Sequence, residues 1–254
     1  MAFFPRKYFF LAFIISYFAL INATTVPELK YHPKLPSLYE PTLIWYRAND
    51  EGNVTAMTQN LDKFLEGYNR PGLIAGRGQS VIHCDFSRPP KGEEVCDVNG
   101  NEFTPCISGN RYGYDRGSPC IFLSLDKIVG WTPEFYNDSS SLPADMPEDL
   151  KNHIADLKRR DPKTANQLWV TCSGENPADI ENLGAMQYIP ARGFPGYFFP
   201  FSNAQGNLSP LVALRLERPQ RGILLNIECK LWARNLKNSA PEKQGVLHFE
   251  LLVD

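Results

Sequence analysis

The pattern of apolar and polar positions is most distinctive at the N-terminus. Residues 8–21 form an apolar run whose single polar side chain is Ser16, and the uncharged stretch continues as far as Pro27. As a helix, residues 8–27 would reach about 30 Å, the thickness of the hydrocarbon core of a bilayer. This pattern predicts a signal-anchor membrane segment at residues 8–27; a cleaved signal peptide has the same character and is the alternative.

Positive charge before the apolar run sets its expected orientation. Arg6 and Lys7 immediately precede the run, and basic residues are retained on the cytoplasmic side of a membrane segment. Residues 1–7 are therefore predicted to be a short cytoplasmic tail, and the chain from residue 28 onward is predicted to lie outside the cell. The second conclusion holds whether the segment stays as an anchor or is cleaved.

The rest of the chain alternates between turn-rich stretches and short patterned segments. Residues 28–42 carry three prolines and predict an extended linker. Apolar positions at helical spacing predict helices at residues 58–68 and 148–160. Short runs bounded by turn-forming residues predict strands. These strands cover residues 43–46, 80–85, 120–125, 167–171, 197–201, 211–216, 223–232 and 246–253.

Together these segments predict a mainly β domain at residues 43–254, built as an antiparallel β-sandwich with an inserted helix. Composition agrees with this prediction, since aromatic residues make up 12% of the chain, and 21 prolines and 18 glycines imply many turns. The net charge of -2 and the pI near 6.1 indicate no basic stripe of the kind that nucleic-acid-binding proteins carry. We therefore expect no nucleic-acid partner.

Six cysteines with wide, irregular spacing suit a chain that folds outside the cell. Their even number predicts a disulfide framework, but the sequence alone leaves the pairing open. A zinc site is disfavoured because the sequence contains no Cys-x-x-Cys pair, although His83 adjoins one of the cysteines. The six are Cys84, Cys96, Cys106, Cys120, Cys172 and Cys229.

Four Asn-x-Ser/Thr tripeptides are candidate N-glycosylation sites on an extracellular chain. They begin at Asn22, Asn53, Asn137 and Asn207. Asn53 and Asn137 are predicted to lie in polar loops and are the stronger candidates. Asn22 would lie in or beside the membrane, and Asn207 is followed closely by Pro210, so these two are weaker.

Signatures of catalysis and of cofactor binding are missing from the sequence. It contains no Gly-x-Ser-x-Gly nucleophile motif, no Gly-x-x-x-x-Gly-Lys phosphate loop and no pair of histidines at metal-ligand spacing. We therefore expect no enzyme activity, no cofactor, no metal ion and no small-molecule substrate.

An aromatic segment at residues 197–201, Tyr-Phe-Phe-Pro-Phe, concentrates four rings around one proline. In a strand, successive side chains point to opposite faces, so these rings cannot all enter the core. Outward-facing aromatic side chains mark contact surfaces. In the segment Tyr197, Phe198, Phe199, Pro200 and Phe201, alternate rings are therefore expected to fill the core, while the outward-facing ones predict a contact surface.

Several longer blocks resemble the beta subunits of sodium/potassium- and proton/potassium-transporting ATPases. Examples are Tyr-Gly-Tyr-Asp-Arg-Gly-Ser-Pro-Cys at residues 112–120 and Trp-Val-Thr-Cys-Ser-Gly at residues 169–174. Their order along the chain, with six cysteines in register, makes the resemblance specific from about residue 43 onward. The other blocks lie at residues 125–131, 188–190, 193–201, 209–213, 226–230 and 245–254.

The resemblance implies a particular architecture. Members of the family are single-pass type II proteins of the plasma membrane, and their extracellular domain is an immunoglobulin-like antiparallel β-sandwich. The resemblance also implies three disulfides between neighbours in sequence, the third of which is expected to tie the two sheets together. These pairs are Cys84–Cys96, Cys106–Cys120 and Cys172–Cys229.

The resemblance further implies a non-catalytic function. Such beta subunits bind the catalytic alpha subunit of the pump, assist its folding, assembly and surface delivery, and modulate sodium export and potassium import. The aromatic segment matches the family region that meets an extracellular loop of the alpha subunit. The alternative is a secreted or cell-surface adhesion module with the same fold that acts without the pump.

Overall fold

The computed structural model describes residues 26–34, 42–69, 80–202 and 207–254. The predicted cytoplasmic tail, all but the last two residues of the predicted membrane segment and the sequon at Asn22 lie outside these residues. Among the helices that the structure describes, none is both long enough and apolar enough to cross a membrane.

Among the described residues, β-strand is more extensive than α-helix. In the described residues, helices α1 (Glu51–Asn69), α2 (Glu148–Arg160) and α3 (Pro177–Leu183) interrupt the strands. The strands are β1 (Glu28–His32), β2 (Leu43–Tyr46), β3 (Val81–Ile82), β4 (Val95–Cys96), β5 (Cys120–Asp126), β6 (Gln167–Gly174), β7 (Met186–Ile189), β8 (Gly193–Pro195), β9 (Leu211–Leu216), β10 (Leu225–Trp232) and β11 (Val246–Val253).

Two large sheets organise the domain. The first sheet has four strands in the order β1-β5-β9-β7, and all of its pairs are antiparallel. The second sheet has five strands in the order β2-β11-β10-β6-β8. Its edge strand β2 runs parallel to β11. The prediction that neighbouring strands are antiparallel is therefore wrong for this pair. Side-chain alternation specifies which face of a strand is buried but not the direction of its neighbour.

The hydrophobic core lies between the two large sheets. Phe249, Leu251 and Val253 alternate along β11 and are at most 1% exposed. Tyr31 of β1, in the first sheet, stacks on Phe249 of the second sheet with ring centroids 5.0 Å apart. Burial of these apolar side chains from both sheets is the main force that holds the layers together.

The two longer helices follow the apolar stripes that the sequence predicts. Helix α2 has the predicted bounds, whereas α1 begins seven residues before the predicted residue 58 because Val54 and Met57 extend its buried stripe. Helix α2 covers part of the outer face of the second sheet, where Ile154 joins a small buried cluster with Trp169 of β6 and Trp232 of β10.

Part of the predicted linker at residues 28–42 is a strand. Residues Glu28–His32 pair antiparallel with β5, and the alternate side chains Leu29 and Tyr31 are 4% and 3% exposed. The sheet therefore begins before residue 43, which corrects the linker prediction. Burial of two alternating apolar side chains outweighs the turn signal of the nearby prolines.

Three disulfides are present, and they join the same cysteines that the family resemblance pairs: Cys84–Cys96, Cys106–Cys120 and Cys172–Cys229. The third does not tie the two sheets together as expected. Its cysteines lie directly opposite each other on the neighbouring strands β6 and β10 of the second sheet. This disulfide therefore links two strands within one sheet.

Candidate partner interface

The aromatic segment follows strand β8 and does not form the predicted strand. Residues Gly196–Phe198 make one turn of 3-10 helix, and Phe201 makes an isolated parallel β-bridge with Val129. The amide of Gly130 donates to the carbonyl oxygen of Phe201 at 2.9 Å. The segment is therefore a short surface loop that is attached to the body of the domain at both ends.

Gly196 determines how the chain enters this loop. Its amide donates to the carbonyl oxygen of Asn166 at 2.8 Å. A β-carbon at this position would lie 2.6 Å from the same oxygen and 2.9 Å from Cζ of Phe135. Glycine is needed here because the backbone passes too close to its neighbours to carry a side chain.

Two further aromatic residues position the rings of the segment. Tyr197 meets Phe86 edge-on with centroids 5.1 Å apart, and Phe199 meets Trp131 edge-on at 5.9 Å. Edge-to-face pairs of this kind stabilise by about 0.5–1.5 kcal/mol beyond their area burial. Neither Phe86 nor Trp131 is recognisable from the sequence as a contact residue, because a lone aromatic residue in a loop belongs to no periodic pattern.

The rings of the segment are half-buried. Phe198, Phe199 and Phe201 pack against the main core, while Pro200 is exposed. The expected alternation of inward and outward rings does not occur, because the segment turns instead of running as a strand. Val129, which is bridged to Phe201, is 40% exposed. The accessible part of this surface therefore consists of the exposed edges of the rings, with the apolar side chain of Val129 beside them.

Tyr197 lies in an electrostatically negative part of this surface. Burial raises the pKa of Tyr197 to about 12, and the carboxylates of Glu102, Asp97 and Asp85 act in the same direction. The phenol is therefore neutral at physiological pH and keeps a proton that it can donate. The surface thus combines apolar rings with negative charge.

Within the described residues, no group of three or more His, Cys, Asp and Glu side chains could hold a metal ion. His83, near the segment, bonds to Asp97 at 3.1 Å. A pre-positioned cluster of half-buried rings is suited to binding a protein chain, since little side-chain freedom remains to be lost on contact.

A sequence model of the family described as "Sodium / potassium ATPase beta chain" matches residues 18–249. The chain belongs to this family. It is 49% identical over 231 residues to the sodium/potassium-transporting ATPase subunit beta-2 of Drosophila melanogaster, a match that covers 91% of this chain and 72% of the relative.

Two other similar proteins are also named as beta subunits of this pump. The chain is 35% identical over 232 residues to Drosophila melanogaster subunit beta-1, covering 91% of this chain and 72% of the relative. It is 25% identical over 225 residues to human subunit beta-2, covering 83% of this chain and 65% of the relative.

In this beta-chain family member, the first disulfide lies against the aromatic segment. The sulfur of Cys96 is 3.7 Å from the carbonyl oxygen of Tyr197. Phe86 stands in the loop that the Cys84–Cys96 disulfide closes. Closing this loop therefore holds Phe86 where it packs on Tyr197.

The three sequons that the structure describes differ in their surroundings. Asn53 was expected in a polar loop but lies in the first turn of α1, where its Oδ1 accepts from a backbone N–H at 3.2 Å. Nδ2 of Asn137 donates to Oδ1 of Asn166 at 2.7 Å. Nδ2 of Asn207 donates to the carbonyl oxygen of Ser202 at 3.1 Å. All three asparagines are half-buried.

Proposed function

We propose that the chain is the non-catalytic beta subunit of a sodium/potassium-transporting P-type ATPase. In this role it binds the catalytic alpha subunit, assists its folding, assembly and surface delivery, and modulates sodium export and potassium import. The observation that carries the proposal is the family match over residues 18–249, together with relatives that are named as subunits of this pump. These names do not favour the alternative of an adhesion module that acts without the pump.

The proposed contact with the alpha subunit is the aromatic segment: Tyr197, Phe198, Phe199, Pro200 and Phe201. Its rings are half-buried and packed on Phe86 and Trp131, so they are already ordered before a partner arrives. Interfaces draw most of their binding energy from a few aromatic anchors of this kind. The negative surroundings of Tyr197 suit a partner loop that presents hydrogen-bond donors or basic side chains.

The proposed topology is a single-pass type II protein of the plasma membrane, with residues 8–27 as signal-anchor and an extracellular immunoglobulin-like sandwich. Two facing sheets with a shared core are in keeping with that fold, although the Cys172–Cys229 disulfide lies within one sheet. We propose N-glycans at Asn53 and Asn137, with Asn207 and Asn22 as weaker sites. The start of β1 at Glu28 would bring the first sheet directly to the outer membrane surface.

Co-purification with an alpha subunit tests the proposed contact. The chain would be co-expressed with a Drosophila alpha subunit, as wild type and as the variant Phe199→Ala/Phe201→Ala. We expect the variant to recover at least about tenfold less alpha subunit, which corresponds to the loss of about 1.4 kcal/mol of binding energy. Undiminished recovery would contradict the assignment.

The matched control is Trp45→Ala. Trp45 is 44% exposed on the edge strand β2 of the second sheet, so this variant also removes a surface ring but leaves the aromatic segment intact. It should recover alpha subunit like the wild type. Circular dichroism of each variant establishes whether a loss of recovery comes from unfolding.

Carbonate extraction and glycosidase digestion of the same cells test the topology. A type II glycoprotein should resist extraction and shift to lower mass after digestion. A soluble product in the medium that never associates with the alpha subunit would instead support the secreted adhesion module.

A further inference from the structure

A basic cluster lies at the C-terminal end of α2 and in the turn that follows it. Lys158, Arg159 and Arg160 occupy the last turn of the helix, and Lys163 lies in the 3-10 turn Pro162–Ala165. The chain as a whole carries a net charge of -2. This concentration of positive charge is therefore a local feature that the overall composition conceals.

Few carboxylates neutralise the basic cluster. Arg159, Arg160 and Lys163 are exposed and Lys158 is half-buried. In the part of the chain that the structure describes, Arg159 is the one member with an ion-pair partner, Asp156, at an exposed position. Exposed pairs of this kind contribute little and are screened by salt. The carboxylate of Asp138, whose pKa is lowered mainly by hydrogen bonds from Ser140, also interacts electrostatically with Lys158 and Arg234. Arg160 and Lys163 therefore carry the positive charge that is most available to an external anion.

The turn after α2 is built so that Lys163 stays beside the helix end. The amide of Asp161 donates to the carbonyl oxygen of Leu157 at 2.8 Å, and its carboxylate accepts from the amide of Lys163 at 3.1 Å. That carboxylate is therefore engaged by the backbone. The helix dipole favours cations in the last turn, but this effect does not account for Lys163, which lies beyond the helix.

Arg234 extends the positive surface from a different element. Its guanidinium donates to the carbonyl oxygen of Phe135 at 3.2 Å and to Oγ of Ser141 at 2.7 Å. It also stacks over the ring of Tyr136 at 5.0 Å, a residue that packs in the same apolar cluster as Leu157 of α2. A guanidinium held in place in this way is pre-positioned for an oxyanion.

We propose that the basic cluster, together with Arg234, binds a sulfated polysaccharide of the cell surface. Short runs rich in Lys and Arg are typical of heparin-binding surfaces, and guanidinium groups bind planar or tetrahedral oxyanions through two parallel hydrogen bonds. The inference rests on the extracellular orientation given under the proposed function, because sulfated polysaccharides are displayed outside the cell.

An anionic membrane is the competing partner, and the surface suits it less well. Peripheral membrane binding combines basic residues with apolar side chains that insert between the headgroups. Neither α2 nor the turn after it carries a large exposed apolar side chain. Those that the described residues do expose are Trp45, Val129, Ile180, Ile223 and Leu224.

The test measures binding of the full chain, co-expressed and purified with an alpha subunit, to immobilised heparin at about 0.15 M salt, where charges are screened beyond roughly 8 Å. The variant Arg159→Gln/Arg160→Gln/Lys163→Gln is compared with the wild type. Each cation that faces an anionic surface contributes about fivefold to affinity, so removal of three should weaken heparin binding roughly 100-fold.

The matched control is Lys63→Gln/Arg88→Gln/Lys91→Gln, which removes three exposed cations from α1 and from the first disulfide loop. It should bind heparin like the wild type. Equal weakening in both variants, or no heparin binding by the wild type, would overturn the proposal. Stronger binding to phosphatidylserine vesicles than to heparin would overturn it in favour of a membrane surface.

Recovery of the alpha subunit is measured in the same preparations. The cluster variant should retain normal recovery, because it leaves the aromatic segment unchanged. If the wild type recovers the alpha subunit normally but does not bind heparin, the polysaccharide site alone is refuted. If the wild type does not recover the alpha subunit at all, the proposed function is refuted.

Discussion

Removal of the Cys172–Cys229 disulfide should destabilise the domain more than removal of either other disulfide. The two cysteines are 57 residues apart in sequence, whereas the other pairs are separated by 12 and 14 residues. A disulfide stabilises mainly by restricting the unfolded chain, and this effect grows with the length of the closed loop. The chain-entropy relation gives about 4 kcal/mol for the long loop and about 3 kcal/mol for each short loop.

Urea unfolding of the full chain would measure the difference. Trp169 and Trp232 are buried and lie three residues from Cys172 and Cys229 on the same two strands, so their fluorescence reports on this part of the second sheet. With a urea dependence of roughly 2–3 kcal/mol per molar, Cys172→Ala/Cys229→Ala should lower the midpoint by about 1.3–2 M.

The variant Cys84→Ala/Cys96→Ala is the matched control, because it also removes one disulfide and replaces two cysteines by alanine. Its midpoint should fall less, by about three quarters as much if loop length governs the effect. An equal or larger loss in this control would refute the loop-length argument. Local packing around the first disulfide would then be the larger contribution.

Two further substitutions test the fold and the candidate interface. Burial lowers the pKa of His32 from 6.5 to about 4. The contribution of the neutral imidazole to stability is therefore fully present above pH 6.5, and up to about 2–3 kcal/mol of the free energy of unfolding is lost as the pH falls to 4. His32→Gln should flatten this part of the pH dependence of the urea midpoint, and a slope as steep as in the wild type would contradict the burial argument. Gly196→Ala should cost about 1–3 kcal/mol through overpacking against Asn166 and should reduce recovery of the alpha subunit. A β-carbon at Gly109 would meet nothing within 4 Å, so Gly109→Ala is the control for thermal stability and recovery, and equal effects of the two variants would contradict the close-approach argument.

Elements with a strong local pattern were predictable from the sequence. Helix α2 has the predicted bounds because Leu150 and Ile154 form a narrow buried stripe between charged positions. Strands β9 and β11 also have their predicted bounds. The apolar run of β9 and the alternation of buried and half-buried positions in β11 are both patterns typical of strands. These elements owe their type to short-range periodicity, which tertiary contacts then reinforce.

Features that depend on tertiary contacts were not predictable in this way. Strand β1 offered the alternating pair Leu29 and Tyr31, but a cluster of prolines nearby favoured a linker, and only pairing with β5 makes it a strand. The aromatic segment has the composition of a strand, yet the close approach of Gly196 to Asn166 turns it into a loop. The cysteine positions indicated disulfides, while the placement of the Cys172–Cys229 pair within one sheet depends on the register of β6 and β10.

Asn166 connects three features of the surface. Its carbonyl oxygen accepts from Gly196 at the start of the aromatic segment, and its amide donates to the carbonyl oxygen of Lys163 in the basic cluster. Its side-chain oxygen accepts from the sequon residue Asn137. A single residue before β6 therefore holds the proposed alpha-subunit contact, the proposed polysaccharide surface and a candidate glycan site close together.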